Sequence, residues 1–228
     1  AGPGWNCAWL AGEPAPLRFT LPELAAEVRL TGIGWDDCGE DAVVVRRCRW
    51  HRFQAAPGGY GELSGFWPFG VEPGLVRRWT CLGRTILLAS ELRIPRGMSG
   101  QRLAADSVLA TGDWQQVWWY GLDPTTGRIT CARMPWPETD DTIMTSPLPP
   151  LTVVLANQRG DLLELGTGLD WWRWLEPARI LGGNGCFRLS RTGGAACLER
   201  RVAELAEPGP WPARPWRFES YLAWHPAG

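Results

Sequence analysis

Residues 113–136 read DWQQVWWYGLDPTTGRITCARMPW, with four tryptophans and a tyrosine in twenty-four residues. That density is either a surface that grips a ligand or the inside of a sheet, and the periodicity separates the two. In an extended chain successive side chains point to opposite faces. Trp114, Gln116, Trp118 and Tyr120 then share one side, and Gln115, Val117 and Trp119 the other. Asp123-Pro124 suits the start of a type I turn, Gly127 can supply the positive φ that returns the chain, and ITCAR is the partner strand. The stretch predicts two strands of a meander. Its adjacent tryptophans, Trp118 and Trp119, must face opposite ways, so one enters a core and the other needs a cover or a ligand.

The same alternation extends in both directions. GLVRRWTC (74–81) and RTILLASELRIP (84–95) flank a tight turn at Leu82-Gly83. Ile86, Leu88, Ser90, Leu92 and Ile94 share one face there, with Glu91 and Arg93 on the other. LTVVLANQRGDLLELG (151–166) reads as a hairpin that puts Val153 and Leu155 with Leu163 and Leu165. CFRLSRTGGAACLERRVAEL (186–205) is a second hairpin, WRFESYLAW (216–224) a final strand, and DAVVVRRCRWHRF (41–53) an early one. QRLAADSVLAT (101–111) fits helix or strand equally. Two short helices are expected: 17–29, where Thr20 caps and Glu23 completes a capping box, and one turn at 170–177, capped by Asp170. The sum is a mainly β chain, an antiparallel β-sandwich-like domain with one or two short helices. A single domain spans 1–228, with a subdivision possible only near the proline-rich connection 135–150.

Composition narrows the function classes. The chain is 45% hydrophobic and 21% charged, with 28 glycines and 20 prolines, unlike a helical bundle. Net charge is −1, so no global field favours nucleic acid or an anionic membrane. No run of about eighteen uncharged apolar residues crosses a bilayer as a helix. All 23 basic residues are arginine, which removes Schiff-base lysine chemistry and the phosphate-loop lysine. The lysine-free, tryptophan-rich composition also fits a G/C-rich bacterial genome, so part of the count of sixteen tryptophans reflects coding bias.

FTLPE (19–23) resembles the processed start of a type IV prepilin, whose Phe is followed by a glutamate at the fifth position. The resemblance implies a long apolar helix from Phe19 and a filament subunit. Glu27 and Arg29 interrupt that helix early, and Arg18 stands where a small residue belongs.

Seven cysteines contain no C-x-x-C pair, which excludes zinc ribbons and thioredoxin-like motifs. Cys186 and Cys197 flank the glycine turn of the second hairpin and could face one another, which suits an oxidising compartment. The other cysteines mostly fall in apolar runs, where the residue packs as a small hydrophobe. The loop-like GPGWNCAWLAGEPAP start fits signal-peptide removal and equally the loss of an initiator Met, so the compartment stays open, with an extracellular or periplasmic, secreted setting favoured.

The densest polar cluster is GWDDCGEDA (34–42), where Asp36, Asp37, Glu40 and Asp41 fall within six residues. Such a loop is a solvated turn, a weak calcium site, or the source of a catalytic pair, Asp36 and Asp37, if the chain is an enzyme. No other metal and no cofactor is expected. His51 and His225 are the two histidines, and His225 lies near the C-terminal end, where order is commonly poor. RRCRWHRF (46–53) alternates arginine with aromatics, a pattern used on single-stranded nucleic acid. On a strand only half of those arginines share a face, and the balanced charge argues for a surface arginine ladder paired with acids.

Exposed indoles beside carboxylates and arginine suit sugar recognition, the ring stacking on C–H faces while polar groups take hydroxyls. The leading expectation is a carbohydrate-binding β-sandwich using Trp35, Asp36 and Asp37 with Asp170, Trp172 and Arg173. The alternatives are a glycan-active hydrolase or isomerase using the loop carboxylates, and a surface or filament subunit whose tryptophans pack on a protein neighbour.

Overall fold

The structure is a computed structural model that describes residues 6–9, 17–20, 27–31, 49–56, 59–66, 73–93, 96, 99–123, 125–140, 142–144, 150–167, 187–210 and 215–228. In chain order these form β1 Asn6–Trp9, β2 Leu17–Thr20, β3 Glu27–Thr31, β4 Arg49–Ala56, β5 Tyr60–Phe66, β6 Pro73–Leu82, β7 Thr85–Arg93 and β8 Ser99–Ala110. They continue as β9 Trp114–Leu122, β10 Ile129–Pro135, β11 Ile143–Met144, β12 Pro150–Asn157, β13 Leu162–Thr167, β14 Phe187–Thr192, β15 Ala195–Pro210 and β16 Pro215–His225. No helix occurs among the described residues.

Two open antiparallel sheets result. One runs β1-β2-β3-β8-β15-β14-β11, the other β10-β9-β12-β13-β16-β7-β6-β5-β4. The last strand, β16, lies between β13 and β7. It therefore joins the early meander β4–β7 to the later group β9, β10, β12 and β13. Strands on either side of 135–150, β9 and β12, are direct neighbours.

The alternation in the sequence is what each strand uses. β7 buries Ile86, Leu88, Ser90 and Leu92 and turns Leu87, Ala89 and Arg93 outward. The same face of the nine-stranded sheet gathers Leu63, Leu75, Trp79, Val117, Trp119, Val153, Leu155, Leu163, Leu165, Leu222 and Trp224, all buried. Each such side chain gains about 1.5–3 kcal/mol from leaving water. Ser90 interrupts the leucine face for a reason: Arg77, its cross-strand partner and itself fully buried, donates Nε–H to Ser90 Oγ at 3.2 Å. A buried guanidinium needs such acceptors. Its neighbour Arg78 points the other way and pairs with Glu62 at 2.7 Å, so the arginine run splits between faces as an extended chain requires. From the seven-stranded sheet Phe19, Val108, Ala110, Leu189, Ala196 and Leu198 are buried, and Phe19 meets Trp79 edge to face at 6.2 Å. Beside that contact burial, and secondarily the nearby Cys81, push the Cys7 thiol up to about 12.

Turn chemistry sets the registers. Gly193 and Gly194 both hold positive φ, 56° and 80°, as a two-residue type I′ hairpin demands. Asp123 accepts the Thr125 N–H at 2.8 Å and the Thr126 hydroxyl at 2.8 Å, while Gly127 takes φ 66° to close the β9–β10 hairpin.

Four expectations are corrected. Leu17–Thr20 and Glu27–Thr31 are strands, not a helix over 17–29: β2 pairs with both β1 and β3, and burying Phe19 between them outweighs the capping signal. The helical start on which the prepilin resemblance depends goes with it. Trp114 does not share a face with Trp118, because the register shifts between Ala156 and Asn157, so Gln115 is the extra residue. That bulge turns Trp114 into the core, where its Nε1 donates to the Ala110 carbonyl at 3.1 Å, and leaves Gln115 exposed. Cys197 stands opposite Ser190 across the hairpin rather than opposite Cys186, which itself lies outside the described residues. Cys131 is exposed rather than packed.

Candidate functional site

Trp35, Asp36, Asp37, Glu40 and Asp41, and likewise Asp170, Trp172 and Arg173, lie outside the described residues, as does the expected turn at 170–177. Among the described residues no group of three or more His, Cys, Asp or Glu could hold a metal ion. The chemistry that the described residues bring together lies on the outer face of the nine-stranded sheet.

Register builds it. Across β10, β9, β12, β13 and β16 the residues Cys131, Tyr120, Thr152, Gly166 and Tyr221 stand directly opposite one another. The next row is Arg133, Trp118, Val154, Glu164 and Ala223. Gly166 is the gap that makes the arrangement work: a Cβ built there would lie 2.1 Å from Tyr221 Cε1 and Cζ. The tyrosine ring therefore lies flat across β13 and carries its hydroxyl toward β12, an aromatic covering a strand glycine. Tyr221 Oη donates to Glu164 Oε1 at 2.6 Å and stands 3.3 Å from Thr152 Oγ1. Since the tyrosine proton is given to the carboxylate, Thr152 is the donor in the second contact.

Glu164 faces Ala223, and two positions further along β16 His225 places Nε2 2.9 Å from Glu164 Oε2. A carboxylate only accepts, so that nitrogen carries the proton. The small Ala223 between Tyr221 and His225 leaves room for both to converge on one carboxylate. Each Glu164 oxygen thus has one protein donor and spare acceptor capacity. Burial first, then the bond to Glu164, push the Tyr221 hydroxyl up to about 12. Tyr120 is raised too, by burial, by contact with Cys131 and by the field of Glu164. Both phenols are therefore neutral donors at neutral pH.

Trp118 flanks the cluster, half-buried, with the Arg133 guanidinium carbon 6.0 Å from its ring centroid. That is the outer limit for a cation–π contact. Its indole N–H is enclosed without a hydrogen-bond partner. Arg217 and Arg93 both bond Glu91 at 3.1 Å farther out on the same face, holding that carboxyl low against its burial.

Sequence reading passed over Glu164, Tyr221 and His225. The signal was present, because Tyr221 and His225 share a parity in the alternating strand 215–225. Their convergence on Glu164 needs pairings across 57 and 61 residues. His225, discounted for its place near the end of the chain, is held by the last strand.

No protein-family model and no characterised protein matches the sequence. Among solved structures the chain is similar to a galactose mutarotase related enzyme from Lactobacillus acidophilus, at 6% identity and a TM-score of 0.56, over 99% of this chain and 96% of that one. It also aligns with the Slr1438 protein from Synechocystis sp. PCC 6803, at 9% identity and a TM-score of 0.36, over 98% of this chain and 66% of that one. At such identity the first likeness is one of fold alone: this chain shares the mainly antiparallel β architecture of a galactose mutarotase related enzyme.

Proposed function

We propose that this chain binds a carbohydrate, or a chemically similar polyhydroxylated ligand, on the outer face of the nine-stranded sheet, with Glu164, Tyr221, His225, Thr152, Tyr120 and Trp118 as the recognising residues. The observation that supports it is the Tyr221–Glu164–His225 network. It offers a carboxylate with free lone pairs, a tyrosine hydroxyl oxygen held in a fixed direction as an acceptor, and aromatic surfaces beside them. That is the combination a sugar needs for its hydroxyls and its C–H faces. The name of the fold neighbour, a galactose mutarotase related enzyme, accords with a sugar ligand. In this reading the two sheets stack as a β-sandwich through the core side of the nine-stranded sheet, with Phe19 against Trp79, leaving the opposite face for the ligand. The early acidic loop with Trp35, Asp36 and Asp37, and the 170–173 segment with Asp170, Trp172 and Arg173, are further candidate contacts.

A second reading, a sugar isomerase, is favoured by the same His225–Glu164 pair at 2.9 Å. A histidine oriented by a carboxylate is a competent proton carrier. Tryptophan fluorescence titration against a panel of neutral mono- and oligosaccharides tests binding, and polarimetry on the sugars that bind tests isomerisation. Glu164→Gln should weaken binding by tenfold or more, about 1.4 kcal/mol. No response to any sugar in the panel, or a response that Glu164→Gln leaves unchanged, overturns the proposal.

A further inference from the structure

The three tyrosines of this chain are Tyr60, Tyr120 and Tyr221. They are far apart in sequence, yet the registers place all three in one lateral row. Tyr60 on β5 is opposite Thr80 on β6, which is opposite Leu87 on β7, which is opposite Tyr221 on β16. The row continues through Gly166 and Thr152 to Tyr120 and ends at Cys131 on β10. Successive tyrosines are three strands apart, about 14 Å at the usual strand spacing, so the row from Tyr60 to Tyr120 is about 29 Å long.

The same face holds every large hydrophobic residue exposed among the described residues. Tyr60 is 56% exposed, Leu82 58%, Leu87 45% and Ile129 66%. Each shares the side of its strand with the tyrosine row or the rows beside it. Scattered single hydrophobics are ordinary on a surface; their confinement to one face is the kind of pattern that marks a binding surface. Charged groups border the row along its length. The Glu62–Arg78 pair lies beside Tyr60, Glu164 and His225 beside Tyr221, and Arg133 beside Tyr120.

We infer that the ligand of this face is a linear oligosaccharide of several units running across the strands, with Tyr60, Tyr221 and Tyr120 as successive stacking platforms. The inference rests on the carbohydrate reading and extends it from one subsite to a row. Aromatic steps separated by polar and hydroxyl side chains match a chain of pyranose rings, which presents C–H faces and hydroxyls along its whole length. A sheet turns by roughly 20–25° per strand, so successive tyrosines are rotated by about 60–75°. A glycan chain follows that turn through its glycosidic torsions; a rigid, planar fused-ring ligand does not.

The test uses the whole chain and a length series of one to six units in glucose, galactose, mannose and N-acetylglucosamine, read by isothermal titration calorimetry. Affinity should rise with length. Tyr60→Ala should reduce hexasaccharide affinity by roughly three- to tenfold, the worth of one aromatic contact, and flatten the length dependence, with Tyr60→Phe restoring it. Tyr60 is mostly exposed, so an unchanged melting temperature shows that the variant is folded. If monosaccharide and hexasaccharide bind equally, or Tyr60→Ala leaves the length dependence intact, the row is not a glycan track while the single site at Glu164 stands. If nothing in the series binds and mass grows with concentration, the face packs on protein and both readings fall.

Discussion

The ring of Tyr221 occupies the space where a side chain of Gly166 would stand, with a Cβ there only 2.1 Å from two ring carbons. Placement of the tyrosine hydroxyl thus depends on an absent methyl on the neighbouring strand. Gly166→Ala should lift the ring off β13, break its 2.6 Å bond to Glu164 and cost about 1–3 kcal/mol through overpacking. Chemical denaturation reads the stability loss. Ultraviolet titration should show one tyrosine falling from about 12 toward the ordinary value of 10.0. An unchanged titration would mean that the glycine does not govern the ring.

Trp118 and Trp119 are neighbours in sequence and opposites in the fold. Trp119 is fully buried, and Trp119→Ala should cost about 3–5 kcal/mol in a urea melt. Trp118 lies half-buried on the outer face beside Arg133, so Trp118→Ala should cost much less stability and lower sugar affinity instead. Equal destabilisation by the two variants would contradict the assignment of faces.

Stability should decline in alkali. Tyr221 and Cys7 are both raised to about 12, from 10.0 and 9.0, first by burial. The folded chain therefore holds protons that the unfolded chain releases. Their contribution is fully present below about pH 9, erodes as pH rises past the unfolded values, and is lost by about 12. Tyr221→Phe should lessen the slope of unfolding free energy against pH in that window.

The acid limb has the opposite sign. Asp161, buried in the β12–β13 turn, accepts the Ala227 N–H at 2.9 Å and Asn157 Nδ2 at 2.8 Å, which together hold its carboxyl below the usual range. Its contribution is present above the ordinary carboxylate value near 3.8 and fades as pH falls through the lowered one. Asp161→Ala should cost about 2 kcal/mol at neutral pH by stranding those donors, and should free the residues after His225 to exchange amide protons faster. Hydrogen exchange at Ala227 unaffected by the substitution would refute the tether.

Local pattern carried the strands a long way. The alternation Ile86, Leu88, Ser90, Leu92 and the paired glycines 193 and 194 act within a few residues, so parity and turn type were readable from the chain alone. The helical reading of 17–29 failed because capping residues are a local preference, whereas Phe19 is buried by strands that the preference cannot see. Trp114 was assigned to the wrong face because a one-residue bulge, set against Asn157 on another strand, reverses parity without leaving a mark in β9 itself.

Sequence by itself determined that this is a mainly antiparallel β chain and that Trp118 and Trp119 must part company, because the extended backbone dictates both. Only the tertiary structure decided that β16 enters between β13 and β7, and that three scattered tyrosines align with Glu164 and His225 on one face. The physical reason is that strand pairing is a contact between distant segments. Its register comes from complementary packing and backbone bonds that neither segment encodes alone.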